Sequence, residues 1–302
     1  MGLIISASRR TDIPAFYNDW FMNRVRAGFC EVPNPFNPKQ VARVSLRPED
    51  VDAIVFWTKN PRPLLEHIAE LERLGLRFYF QFSLHAYPAL LEPRLPSVAA
   101  RIAAFRQLSE LLGAARVIWR YDPIIISNLT GYAFHKTAFA ALCAQLSPCT
   151  RRVVISVVDY YGKTKRNLKP LEEQGFTFST AAVDLPQTDD LLCGLAEVAR
   201  AASLEIFSCA EPSAKAGPRW AGIRPGRCID GELIERLWGL RRVWKKDPNQ
   251  REECGCVVSK DIGAFDSCLH GCPYCYATRS LPLAEKRHAQ HDAAAATLLG
   301  EN

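Results

Sequence analysis

Six short apolar runs, each ending in polar residues, recur through the first two thirds of this 302-residue chain. Each run has the length of a β-strand and is hydrophobic almost without interruption, as a parallel strand buried on both faces must be. The runs are Leu3–Ser6, Ala53–Trp57, Arg77–Phe82, Arg116–Trp119, Val153–Val158 and Leu204–Phe207.

Amphipathic stretches with helical spacing lie between these runs. They are Pro63–Leu74, Ser97–Leu112, Phe134–Leu146 and Asp189–Ala202. Strand and helix units in series predict a parallel sheet with right-handed crossovers, curving toward a barrel. We therefore expect an α/β fold in which residues 1–210 form a partial (β/α)6 TIM-like barrel.

The pattern changes after Ala210, where the chain becomes rich in glycine, proline and cysteine. We expect residues 211–302 to form a Cys-rich C-terminal cap, an iron-sulfur region that folds over the barrel mouth. Its predicted segments are a loop over Glu211–Arg227, a helix over Gly231–Lys246, a Cys-rich loop over Pro248–Tyr276, and a helix over Leu283–Leu299 with a fraying tail.

The composition, 48% hydrophobic and 23% charged residues, is that of an ordinary globular protein. No apolar run approaches the ~20 residues of a membrane span, and the first residues do not resemble a signal peptide. We therefore expect a cytoplasmic protein without a membrane partner. Eleven cysteines in such a chain indicate metal or redox chemistry rather than disulfides.

Three of these cysteines, Cys268, Cys272 and Cys275, are spaced C-x-x-x-C-x-x-C. This spacing suits three thiolates that reach three irons of a 4Fe-4S cluster and leave the fourth iron open. Gly271 would let the backbone fold closely around the cluster. A structural zinc site is the alternative, although zinc sites more often show paired C-x-x-C units.

With Tyr274 before its last cysteine, this motif resembles the cluster motif of radical S-adenosylmethionine (SAM) enzymes. The resemblance implies that the open iron binds SAM and that an electron from the cluster cleaves SAM to methionine and a 5'-deoxyadenosyl radical. That radical would remove hydrogen from an unidentified small-molecule or nucleotide-like substrate. A six-unit partial barrel is typical of that superfamily, and a flavodoxin or ferredoxin would supply the electron.

Almost the whole chain resembles a bacterial and archaeal family, domain of unknown function 1848. The shared stretches are IISASRRTDIPAF, FWTKNP, the CAE at Cys209–Glu211, the CID at Cys228–Asp230, and the closing CGC, DIG and HGCPYCYA. Unlike ordinary radical SAM enzymes, this chain carries its cluster motif near its end, and Thr58–Pro61 replaces the usual glycine-rich stretch. We expect the C-terminal loop to fold back over the carboxyl ends of the strands.

Four further cysteines predict a second, fully ligated cluster: Cys209, Cys228, Cys254 and Cys256. Alternatively, Cys209 and Cys228 are buried apolar residues, and Cys254 and Cys256 bind zinc or nothing. The remaining four lack motif spacing and are interpreted as packing residues: Cys30, Cys143, Cys149 and Cys193.

Polar residues follow each predicted strand and should gather at the barrel mouth. The candidates for catalysis are Arg10, Asp12, Lys59, His85 and Asp122, and those for SAM binding are Arg120, Lys59, Ser156 and Tyr274. Internal pairs such as Arg120 with Asp122 agree with the sequence at least as well, and a structural role is favoured for His85 over a role as ligand or proton donor. His270, within the cluster loop, could donate a hydrogen bond to a cluster sulfur.

The formal charge is +6, and basic residues gather locally, including a run at Lys163–Arg166 beside Tyr160 and Tyr161 that we interpret as a loop. A nucleic-acid surface is possible but not favoured. The sequence therefore predicts a radical-SAM-like enzyme with one or two 4Fe-4S clusters. The alternative is a non-catalytic iron-sulfur or zinc protein that transfers electrons or binds nucleic acid.

Overall fold

The computed structural model describes residues 2–180, 186–211 and 220–300. Its strands are β1 (Leu3–Ala7), β2 (Phe29–Asn34), β3 (Asn37–Ser45), β4 (Val51–Thr58), β5 (Phe78–Ser83), β6 (Val117–Ile124), β7 (Arg152–Val157), β8 (Glu205–Ser208), β9 (Arg224–Pro225) and β10 (Lys260–Asp261). Its helices are α1 (Ile13–Phe16), α2 (Asn18–Ala27), α3 (Arg62–Leu65), α4 (Ile68–Arg73), α5 (Val98–Leu112), α6 (Tyr132–Leu146), α7 (Gly162–Glu172), α8 (Pro186–Ala201), α9 (Gly231–Trp238) and α10 (Leu281–Ala289).

Eight of these strands form one sheet in the order β10-β1-β4-β5-β6-β7-β8-β9, and all neighbours are parallel. The six predicted runs are the six central strands, in chain order, which confirms the α/β class. The sheet is open, with β10 and β9 at its two edges. Closure into a barrel is therefore not observed.

Both faces of the sheet are buried, which explains the continuous hydrophobicity of its strands. On one face, side chains such as Ile54, Phe80 and Trp119 contribute to the main core. On the other, Val55, Tyr79 and Ile118 belong to a second core with residues from α9 and from the Cys254–Val257 segment. The C-terminal region thus covers a face of the sheet.

The short edge strand β10 joins the C-terminal region to the first strand. The carboxylate of Asp261 accepts hydrogen bonds from the hydroxyls of Ser6 and Ser8, both at 2.6 Å, and from the backbone N–H of Arg9 at 2.9 Å. Gly263 lies so close to Ser8 that a Cβ atom there would be 2.1 Å from the Ser8 hydroxyl. This packing directs the chain after β10 toward the carboxyl end of β1.

Several predicted helices are wrong in extent. The stretch Pro63–Leu74 divides into α3 and α4, and the helix predicted over Gly231–Lys246 ends at Trp238 because Gly239 adopts the left-handed conformation, with φ 68°. The basic run beside Tyr161 is not a loop, because it lies in α7. The predicted loop Glu211–Arg227 contains β9, and its residues 212–219 lie outside the described residues.

The end of the chain also differs from the prediction, because the helix predicted over Leu283–Leu299 stops at Ala289, while residues 301–302 of the predicted fraying tail lie outside the described residues. Instead, the backbone N–H of Glu31 bonds to the Ala296 carbonyl, and the Trp20 indole donates to the Ala295 carbonyl. Leu298 is buried in the main core. The segment after α10 therefore docks on α2 and on the β2–β3 hairpin, which was not predicted either.

None of the helices in the described ranges combines the length and the apolar character that crossing a membrane would require.

Replacing Asp261 with alanine should lower the free energy of unfolding of the metal-free protein by about 3 kcal/mol, because it removes several charge-assisted hydrogen bonds at once. Urea denaturation followed by circular dichroism measures this change. The exposed Asp190 on α8 offers the matched control, and Asp190→Ala should shift stability by less than ~0.5 kcal/mol. Equal stability of the two variants would contradict the role assigned to Asp261.

Candidate functional site

A cavity of about 440 Å³ opens at the carboxyl ends of the sheet strands. The seven cysteines singled out as metal ligands all line it: Cys209, Cys228, Cys254, Cys256, Cys268, Cys272 and Cys275. The eleven cysteines are all free thiols. The fold therefore gathers these seven thiols from distant parts of the chain around one space, as a metal or redox centre requires.

The loop that carries Cys268, Cys272 and Cys275, here called the cluster loop, is fixed by its surroundings. Gly271 has a φ of 70°, and a Cβ atom there would lie 3.1 Å from Leu281, so the expected tight turn is present. The Tyr17 hydroxyl donates to the Ser267 carbonyl at 2.7 Å, before the first cysteine. After the last, the Asn167 amide of α7 donates to the Thr278 carbonyl at 2.9 Å.

Asp12 ties the cluster loop to two strands of the sheet. One of its carboxylate oxygens accepts from the backbone N–H of Lys59 and from His270 Nε2, each at 2.7 Å, and the other caps α1 at Ala15. Asp12, predicted as a catalytic candidate, is therefore already fully bonded within the protein. His270 is buried against Phe16, with ring centroids 4.6 Å apart.

Glu92 is a second residue that ties the cluster loop to the rest of the protein. The sequence did not reveal it, because it lies in a loop and in no recognisable motif. Its carboxylate accepts from Lys59 Nζ at 2.8 Å, from the Tyr274 hydroxyl at 2.7 Å and from Arg101 at 2.8 Å. The residue is only 4% exposed. Lys59 and Tyr274, both predicted to bind SAM, are thus held by one buried acid.

Burial alone would raise the pKa of Glu92, but Lys59, His85 and Arg101 outweigh it and hold this pKa well below its ordinary value. Burial also lowers the pKa of His85 to about 3, so its imidazole is neutral. His85 stacks on Tyr87 and is fully buried, and it is absent from the cavity lining. The structure therefore gives His85 no access to a ligand in this cavity.

The other four thiols form a continuous chain of contacts, here called the four-thiol set. Cys209 Sγ lies 3.3 Å from Cys228 Sγ, and hydrogen bonds connect Cys228 with Cys256 and Cys256 with Cys254. The Cys228 carbonyl accepts from Tyr79 and Gln81 of β5, at 2.7 and 2.8 Å. The CGC and CID stretches therefore meet against the carboxyl half of the sheet.

Two guanidinium groups accompany these thiols, that of the buried Arg120 and that of the half-buried Arg9. Arg120 Nη1 is 2.7 Å from Cys228 Sγ, and its Nη2 pairs with Asp122, which also accepts from Ser156. Burial lowers the pKa of Arg9, but negative charge at Cys256 and Cys228 raises it more. Arg9 Nη2 is buried without a hydrogen-bond partner, although buried cations need a compensating anion. An anionic group is therefore expected between these residues.

The thiols differ in acidity. Burial raises the pKa of Cys272 to about 12 and that of Cys268 well above its ordinary value. A hydrogen bond from Cys256 lowers the pKa of Cys254 to about 7. Metal binding at the cluster loop would have to displace the thiol protons, which makes loading dependent on pH.

The remaining predicted residues all line the cavity: Arg10, Asp12, Lys59, Asp122, Arg120, Ser156 and Tyr274. Most of their polar groups already bond within the protein, as the pairs above describe. Other polar atoms of the lining are buried without a partner in the described part of the chain: Arg9 Nη2, Thr11 Oγ1, His270 Nδ1 and Thr278 Oγ1. These atoms lack a hydrogen-bond partner, although each is closed off from solvent in this structure.

Within residues 2–180, 186–211 and 220–300, no three His, Cys, Asp or Glu side chains converge as ligands of one metal ion. A four-iron cluster makes a different demand, because each thiolate binds its own iron and the ligands surround a volume. Four thiols beside the guanidinium groups of Arg9 and Arg120 have the chemistry that a fully ligated anionic cluster needs, but Cys209 and Cys228, 3.3 Å apart, would have to separate to bind different irons. The cluster loop supplies three thiols that line the cavity, which is the number of protein ligands that a cluster with one free iron needs.

A family model described as a domain of unknown function (DUF1848) matches residues 4–277. The chain belongs to this family. No curated protein and no solved structure matches it. The matched DUF1848 region includes the four-thiol set and the three cysteines of the cluster loop, so every residue of the cavity lining except Thr278 lies within the family domain.

In this DUF1848 protein, Glu92→Gln should lower the free energy of unfolding at pH 7 by about 3–5 kcal/mol, because it leaves the buried Arg101 and the half-buried Lys59 without their anion. A carboxyl group with a depressed pKa stabilises the fold above its unfolded pKa of ~4.3, and this stability is lost as pH falls through the folded pKa. The gap between wild type and variant should therefore begin to narrow below about pH 4 and keep narrowing as pH falls toward the folded pKa.

Urea denaturation of the metal-free proteins between pH 3 and 7 measures that gap. Glu66→Gln is the matched control, since the Glu66 side chain is 74% exposed, and it should change little at any pH. A gap that is the same at every pH would show that the charge of Glu92 is not the stabilising feature.

Proposed function

We propose that this protein is an iron-sulfur enzyme of the radical SAM type. A 4Fe-4S cluster on Cys268, Cys272 and Cys275 would leave one iron for SAM, and a second cluster would occupy the four-thiol set. The observation that carries the proposal is the convergence of all seven of these cysteines on one cavity at the carboxyl edge of the sheet. Six consecutive parallel strands in chain order further support a partial barrel of the radical SAM kind.

When bound, the open-iron cluster would supply one electron from an external donor to break a carbon–sulfur bond of SAM, yielding methionine and a 5'-deoxyadenosyl radical for hydrogen abstraction. The cavity must then keep water away from a reactive ligand. The Cys272 and Tyr274 side chains are buried, which supports such exclusion.

The residues around the cavity would divide the remaining tasks. Asp12 and Glu92 would position the cluster loop through His270 and Tyr274. Arg9 and Thr11, whose free polar atoms line the cavity, would contact SAM or the substrate. Arg120, predicted to bind the SAM carboxylate, would instead stabilise the thiolate of Cys228.

A second candidate function, electron transfer without SAM cleavage, is favoured by one observation. Both thiol sets face the same cavity, so two clusters held there would be close enough to exchange electrons. Under this alternative the cluster loop would need no exogenous ligand.

Cys272→Ala should abolish SAM cleavage and reduce the iron content of anaerobically purified protein from about eight to about four per chain, because one cluster loses a ligand. Cys256→Ala should remove a similar amount of iron but leave the SAM-sensitive signal. Iron and sulfide analysis with electron paramagnetic resonance of the reduced protein, with and without SAM, measures both effects. Cys143→Ala, which changes a buried cysteine of the main core, is the control.

Iron content near eight with signals indifferent to SAM would favour the electron-transfer alternative. Zinc in place of iron would remove both functions. SAM cleavage that persists in Cys272→Ala would disprove the assignment of the open-iron cluster.

A further inference from the structure

A strongly basic segment lies directly behind the four-thiol set. The Asp247 N–H donates to the Cys256 carbonyl, and the Val258 N–H donates to the Lys245 carbonyl, each at 2.9 Å. An antiparallel bridge pairs Lys246 with Val257 between them. We call the two paired segments, 241–247 and 256–258, the basic ribbon.

The outer surface of the basic ribbon combines positive charge with exposed apolar area. Val243 is 78% exposed and Val258 is 49% exposed. The exposed cations are Arg241, Arg242, Lys245 and Lys246. An apolar centre with a charged rim is the composition of a protein–protein interface.

Little of this charge is neutralised within the described part of the chain. Arg242 pairs with Asp52 at 3.4 Å, and Lys246 donates to the backbone carbonyl of Glu252, which carries no charge. Arg241 and Lys245 form no ion pair with any described residue. The ribbon therefore presents net positive charge to a partner.

The ribbon is held rigidly, although its surface is exposed. Trp244 packs so closely on Gly231, the first residue of α9, that a Cβ atom there would be 2.3 Å from its ring. Val257 is buried, and its N–H donates to the Ile229 carbonyl, while the Ile229 N–H approaches Cys256 Sγ at 3.4 Å. Cys256 belongs both to the basic ribbon and to the four-thiol set, so the two are directly connected through this residue.

We propose that the basic ribbon is the docking surface for an acidic one-electron carrier protein, and that the electron passes through Cys256 to the cluster on the four-thiol set. The carrier is oxidised by one electron and the cluster is reduced by one, with no bond made or broken. This inference rests on the proposed function, because it requires that cluster. It gives the second cluster the task of receiving electrons from outside the protein.

A double variant, Arg241→Glu with Lys245→Glu, reverses two unpaired charges on the ribbon. Arg73→Glu with Lys136→Glu makes the same charge change on the exposed sides of α4 and α6 and is the matched control. The first measurement is the affinity for purified flavodoxin at low salt by isothermal titration calorimetry. The ribbon variant should bind at least about tenfold more weakly, and the control should bind like wild type.

The second measurement is the rate at which reduced flavodoxin bleaches the cluster absorbance in a stopped-flow instrument. This rate should fall about tenfold in the ribbon variant and should fall with salt in wild type. Reduction by dithionite, a small molecule that needs no docking surface, should be equally fast in all three proteins.

If flavodoxin binding weakens equally in both double variants, or weakens in neither, the proposed docking surface is disproved. So would ribbon-dependent binding of a 20-nucleotide DNA duplex when flavodoxin binding is unaffected, since the surface would then serve nucleic acid. If dithionite reduces no cluster in wild type, the proposed function fails, whereas the calorimetric comparison still tests the docking surface by itself.

Discussion

The carboxylate of Asp261 is the contact on which the arrangement of the candidate site depends. It draws a two-residue strand against β1 and bonds Ser6, Ser8 and the Arg9 backbone at the point where β1 ends. The cluster loop begins only a few residues later, so its cysteines reach the carboxyl end of the first strand from the far end of the sequence. A loop that is remote along the chain can thereby take the place that a loop after β1 would occupy.

The central sheet could be predicted because its strands are buried on both faces, which leaves an unambiguous run of apolar residues. The β2–β3 hairpin could not, since β3 is mostly exposed and its sequence, NPKQVARVS, has no hydrophobic alternation. β10 could not be predicted either, because its position follows from the hydrogen-bond partners of Asp261 rather than from β propensity. Helix α9 ends at Gly239. The sequence did not predict this end, because the residues after Gly239 continue the hydrophobic pattern of a helix.

The candidate site was predictable to the extent that cysteine spacing reflects a local loop. Cys268, Cys272 and Cys275 share such a loop, whereas the meeting of Cys209 with Cys254 depends on how three separate segments pack. The buried acid Glu92 lies outside every motif, so only the tertiary structure reveals it. Predicted ligand contacts such as Lys59 proved to have internal partners, because a sequence does not show which polar groups are already paired.

The pairing of β10 with β1 also has a consequence for the order in which the protein is made. Until residue 261 has left the ribosome, the outer edge of β1 has no neighbour, and an unpaired parallel edge is a site for association with other chains. The cysteines of the cluster loop follow later still. A metal centre there could be built only after the cysteines of the cluster loop have been synthesised and β10 has paired with β1.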